Sequence, residues 1–209
     1  YAIQSGTVNN ATIYYSDNSY VEAACHSYNS INHTSNLGNN VCAGGAAGYV
    51  LGYETISNVS LIFDGTVHQS GKPAEYFVSG TQNGANNNDG DLKTEGIIGG
   101  MFGLVIDTKL SNINLIGDPT ENSVVYFTST NSPNTASVGG LVGALWKMEN
   151  VADSTLMEGA TVKNVHVAGK AYCDKKNTDD TYDIYVGGAV GVFGNPKGGT
   201  QKITKVNVD

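Results

Sequence analysis

Arginine is missing from these 209 residues, and the 11 basic side chains are all lysine. Charge is sparse at 14 %, and the formal net charge is −8. Neutralising a phosphate backbone takes clustered Lys and Arg, so nucleic acid is not expected as a partner. The same shortage speaks against an anionic membrane surface. No run approaches the roughly 18 apolar residues that a bilayer-spanning helix needs, so no membrane insertion is expected. His26, His33, His68 and His166 never fall at ligand spacing on one strand, and no CxxC pair occurs. Neither a metal nor another cofactor is therefore expected. Gly-x-Ser-x-Gly and a phosphate loop ending in Lys are also missing, and the chain does not read as an enzyme.

Cysteine is scarce at three residues, and proline at four. Cys25 and Cys42 flank a polar stretch rich in Asn, Ser and His. In an oxidising compartment they could bridge, which would restrict the unfolded ensemble by about 3 kcal/mol. The other reading is three thiols. Cys173 lies far off in another loop, unpaired or open to another chain.

Glycine, by contrast, is abundant at 27 residues. It recurs in a frame Gly-Gly-x-x-Gly: Gly44, Gly45 and Gly48; Gly99, Gly100 and Gly103; Gly139, Gly140 and Gly143; Gly187, Gly188 and Gly191. A second element follows each frame, as Ile56 to Leu61, Leu110 to Leu115, Val162 to Val167 and Ile203 to Val208, with an orphan copy at Val8 to Ile13. Repetition of this kind with unequal spacing predicts a solenoid whose insertions map to outer loops. The expectation is one all-β domain over 1–209, each repeat a coil of three short strands, with insertions at about 16–43, 64–97 and 171–183. A short helix is expected at 149–159.

The repeated strand sets its own register. Val59 and Leu61 line up with Ile113 and Leu115, with Val165 and Val167, and with Val206 and Val208. Residues two apart share a face of a strand, so these form an aliphatic ladder. Between them lie Ser60, Asn114, His166 and Asn207, which are expected to face solvent. Before them come Asn58, Asn112, Asn164 and Lys205, where a bend is needed and Asn tolerates the left-handed conformation. Stacked Asn corners could also hydrogen-bond to one another. The paired glycines, lacking a Cβ, permit a tight corner or close packing.

Other features weigh less. Residues 86–91 with Glu95 suggest calcium, but the ligand spacing fails and a solvated loop is expected. The acidic loop around Asp174, Asp179, Asp180 and Asp183 offers paired carboxylates. Tyr14, Tyr15, Tyr20, Tyr172, Tyr182 and Tyr185 are candidate contacts for a sugar or protein ligand, against packing over the coil as the plainer reading. Trp146 reads as a loop anchor.

Gly140-Leu141-Val142-Gly143 resembles the GLUG repeat of bacterial surface proteins, including adhesins. The frames at Gly45, Gly100 and Gly188 fit its looser form of Gly, two apolar residues and Gly. The resemblance covers about residues 44–208 and implies a right-handed parallel β-helix on a secreted or cell-surface protein. It brings no catalytic residue. The function expected is adhesion, with an extracellular protein or glycan bound through loops. Because the chain opens and closes on copies of one strand without a polar cap, a self-assembling extracellular fibre or surface-layer subunit is the alternative. A polysaccharide-active enzyme is the remaining one.

Overall fold

The computed structural model describes residues 2–4, 6–16, 19–25, 41–52, 55–63, 76–82, 95–119, 123–129, 135–148, 153–171, 183–195 and 198–209. Every element among them is a strand. In chain order they are β1 (Ala2–Gln4), β2 (Val8–Tyr15), β3 (Val21–Cys25) and β4 (Val41–Gly44), followed by β5 (Ala47–Leu51), β6 (Thr55–Phe63), β7 (Tyr76–Gln82) and β8 (Glu95–Gly99). Then come β9 (Phe102–Ile106), β10 (Lys109–Ile116), β11 (Ser123–Ser129) and β12 (Thr135–Gly139), and β13 (Val142–Trp146), β14 (Asp153–Lys163), β15 (Val165–Ala171) and β16 (Asp183–Gly187). The last two are β17 (Val190–Gly194) and β18 (Thr200–Val208).

Every fourth strand joins the same sheet. Sheet A is β1-β5-β9-β13-β17, sheet B is β2-β6-β10-β14-β18, sheet C is β3-β7-β11-β15 and sheet D is β4-β8-β12-β16. All pairings are parallel. The chain thus visits A, B, C and D in turn and returns to A one tier further on. A circuit has four strands, not the three expected from the sequence. The extra strands come from stretches read as insertions: β3 lies within 16–43 and β7 within 64–97.

The core is built from columns of equivalent residues. In sheet B, Val59 pairs with Ile113 and Leu61 with Leu115, as the sequence predicts. Ala11 and Ile13 extend these columns on one side. Ala160 and Val162, then Val206 and Val208, extend them on the other. The third copy is thus corrected: Val165 and Val167 lie in β15 of sheet C, opposite Ser123 and Val125. They still pack against the main core. Gly159 explains the misreading. It takes the bend position of that tier at φ 72°, while Asn164, with φ 55°, makes the next corner, between β14 and β15. Two left-handed residues close together made the later one look like the bend.

The bend itself is real. Asn10, Asn58, Asn112 and Lys205 all have φ between 52° and 56°, at one place in every other strand of sheet B. Asn58 Nδ2 donates to Asn9 Oδ1 at 2.9 Å, and Asn112 Nδ2 donates to Asn58 Oδ1 at 3.1 Å, so amides do link tiers. The stretch 149–159, expected to be helical, instead enters β14 at Asp153. With β10 on one side and β18 on the other, its backbone groups find partners as a strand that a short helix would leave at its ends.

Candidate functional site

The glycine frames turn the chain from sheet D into sheet A. None of the twelve frame glycines has a positive φ, so conformational freedom is not why they are there. Space is. A Cβ on Gly143 would come within 2.8 Å of Gly103 O and 2.7 Å of Ile98 N, and one on Gly48 within 2.8 Å of Cys42 O. The backbones of A and D therefore lie almost in contact where they meet. The corners also continue the ladder between tiers, with Gly45 N donating to Gly100 O and Gly100 N to Gly140 O, both at 3.0 Å.

That close approach creates a second apolar face. Val50, Val105 and Leu145 of sheet A point into the main core. Their neighbours Leu104, Ile106 and Ala144 form a separate cluster with Ile97 of sheet D, joined by Cys42, Tyr49, Leu51 and Trp146. These residues face away from the core, so the outer faces of A and D meet at a re-entrant angle. A groove runs there across the tiers. It holds a recess of ≈250 Å³ lined by Gly96, Ile97, Ser137, Ala144, Trp146, Tyr185 and Val192. No charged side chain lines it.

Two aromatic rings flank the recess from different sheets, Trp146 from A and Tyr185 from D. Tyr185 is 45 % exposed. Trp146 is fixed by its backbone, since its carbonyl accepts Asp107 N–H at 3.0 Å. Asp107, buried at φ 53°, accepts Met148 N–H at 2.9 Å and lies 3.3 Å from Lys147 Nζ. This corner holds the end of β13 rigidly. Ser137 Oγ, one of the hydroxyls lining the recess, donates to Gly143 O at 2.6 Å and retains lone pairs to accept a further bond.

The residues singled out in the sequence fare unevenly. Tyr14 and Tyr20 are exposed, at 70 % and 48 %, but neither lines the groove. Tyr15 is half-buried: its hydroxyl donates to Gly45 O and its ring packs edge-on against Phe77, with centroids 5.8 Å apart. Burial raises its pKa. Tyr172 and Tyr182 lie outside the described residues, as do Cys173, residues 86–91 and the acidic loop up to Asp180. His166 is exposed. Cys42 stands as a thiol in the groove cluster, so the Cys25–Cys42 bridge finds no support. Beside it, Tyr49 has a raised pKa, first through burial and then through the Cys42 sulfur. Trp146, read as a loop anchor, is the last residue of a strand and a groove wall. The missed residues Ile97, Ala144 and Val192 had a signal: Ile97-Ile98, Ala144-Leu145-Trp146 and Val192-Phe193 are consecutive apolar residues, which mark strands covered on both faces.

Compared with protein-family models, with curated proteins and with solved structures, this chain finds no match.

Proposed function

We propose that the chain is a right-handed parallel β-helix, a solenoid with long loop insertions, serving as a non-catalytic, adhesin-like module on a secreted or cell-surface protein. It holds a ligand of a host or neighbouring cell by contact, without transforming it. The observation that carries the reading is the groove between sheets A and D, where Trp146 and Tyr185 flank an uncharged recess. Aromatic rings offer large apolar area at little entropic cost, and they take either the CH face of a sugar or a peptide side chain. The resemblance of Gly140-Leu141-Val142-Gly143 to the GLUG repeat supports the surface assignment. The insertions are the second contact region in this reading.

The test is binding to a glycan array and to immobilised extracellular proteins, with the chain compared with a Trp146→Ala, Tyr185→Ser double variant. A loss of about tenfold or more in affinity, at an unchanged far-ultraviolet spectrum, supports the groove as the contact surface. Equal binding by both proteins removes the groove from the reading. Release of reducing ends from a polysaccharide removes the non-catalytic assignment.

A further inference from the structure

The recess in the groove owes its depth to a single tier. Strand pairing aligns Ile97, Ser137 and Tyr185 down sheet D, and Leu104, Ala144 and Val192 down sheet A. Each column is at its smallest in the tier of β12 and β13, at Ser137 and Ala144. That tier lies inside the stack, with a bulkier one on either side. The result is a notch of ≈250 Å³ centred on it. Pockets that engulf a drug-sized ligand run to roughly 300–1,000 Å³, so the notch suits one side chain or ring of a larger ligand.

The chemistry of the lining is equally narrow. Ser137, Trp146 and Tyr185 carry its only polar side-chain atoms. Ser137 is 6 % exposed, and its proton is committed to Gly143 O, a carbonyl that can only accept. Its Oγ lies at the floor, against the glycine corner of the next tier, where a Cβ on Gly191 would come within 2.5 Å of it. It therefore offers a visitor lone pairs and no proton. The backbone groups of β12 and β13 are taken up in ladders to the tiers on both sides.

We propose that the notch receives, from a protein ligand, an aromatic side chain with one hydrogen-bond donor at its tip, tyrosine above all, whose donor meets Ser137 Oγ. This inference rests on the reading of the groove as the contact surface and narrows the ligand. Charge complementarity selects the occupant. An ionised group would enter a lining without a counter-charge, and the net charge of −8 further opposes an anion. A hexose would bring several hydroxyls and leave most of them without partners, which is costly once water is excluded. Phenylalanine fills the space but shuts Ser137 Oγ from water without giving it a donor. A phenol brings one donor to one acceptor, and its ring has Trp146 and Tyr185 for aromatic neighbours.

Three short peptides test this, identical but for a central tyrosine, phenylalanine or leucine, with a methyl hexoside as the sugar probe. Trp146 is the one tryptophan of the chain, so its fluorescence reads the notch directly. Ligand-observed magnetic resonance serves for variants that lack it. One side chain supplies all of the binding, so a Kd of about 1 mM is expected for the tyrosine peptide. The phenylalanine peptide should bind about five- to tenfold more weakly, the range of one hydrogen bond, and leucine more weakly again. Ser137→Ala should erase the preference for tyrosine over phenylalanine while both still bind. The peptide comparison uses the unaltered chain, so it stands whether or not that variant folds. Equal binding of the tyrosine and phenylalanine peptides, a tyrosine preference that survives Ser137→Ala, or no peptide binding up to about 10 mM overturns the inference. So does a hexoside bound more tightly than the tyrosine peptide; if the Trp146→Ala, Tyr185→Ser variant then loses the hexoside, the groove reading stands without this one. Tyrosine-peptide binding unchanged in that variant removes both.

Discussion

Leu115 and Val208 stand in the same column of sheet B, and the first is fully buried while the second is 52 % exposed. The difference is not one of sequence, since both are aliphatic residues alternating with polar ones. It lies in the tiers above and below. Leu115 has Leu61 on one side and Val162 on the other, whereas Val208 has Val162 alone. Burial here is supplied by the strands paired on either side.

The largest effect should come from glycine at mid-stack. A Cβ on Gly99 would stand 2.6 Å from Gly143 N, in backbone that has nowhere to move. Gly99→Val is expected to abolish the soluble folded protein, read from soluble yield and far-ultraviolet circular dichroism. On the end tier, the Cβ of Gly194 would meet only Trp146 at 3.7 Å, and Gly194→Ala should fold normally. Next is the column itself: Leu115→Ala should cost about 3–4 kcal/mol in urea unfolding, and Val208→Ala less than about 1 kcal/mol. If the two costs were equal, burial by neighbouring tiers would not be the governing term. The bend follows. Asn112→Ala should lose about 1–2 kcal/mol, because only Gly and Asn tolerate the left-handed region cheaply, and Asn112→Gly should lose much less.

The smallest effect belongs to the exposed rung in which Glu158 accepts from Lys205 at 2.9 Å and Lys109 at 3.5 Å. Hydrogen bonding and charge from Lys205, then from Lys109, lower the Glu158 pKa below 4.5, and Glu158 raises that of Lys205 above 10.5. The Glu158 contribution is complete above its unfolded value and fades as pH falls through the lowered folded one. The Lys205 contribution fades as pH rises through its raised folded value. Glu158→Gln should lower midrange stability slightly and leave the acid and alkaline extremes nearly unchanged, which flattens both limbs of the profile.

Much of this could be read from the sequence. The glycine frames, the Asn bends at 58 and 112 and the columns through Val59 and Leu61 follow from period and residue chemistry alone. What hid the third copy was a substitution: Gly159 serves where Asn serves elsewhere, while Asn164 bends a different corner. The fourth strand of each circuit was half visible: Tyr76-Phe77-Val78 of β7 is an apolar run that reads as a strand inside its insertion, while β3 sits in polar surroundings that read as a loop. The groove was harder still. That Tyr185 and Trp146 line one recess depends on two outer faces closing toward each other, and no local period records an angle between sheets.

The parallel tiers have a mechanical corollary. Strands inside the stack are held by bonds to the tiers on both sides and the edge strands by bonds to one, so tension between the two chain termini should load one rung at a time, from the edges inward. The molecule should yield by peeling, circuit after circuit, each detachment paying out a length of slack polypeptide at modest force. Such a body is a shock absorber more than a rigid strut.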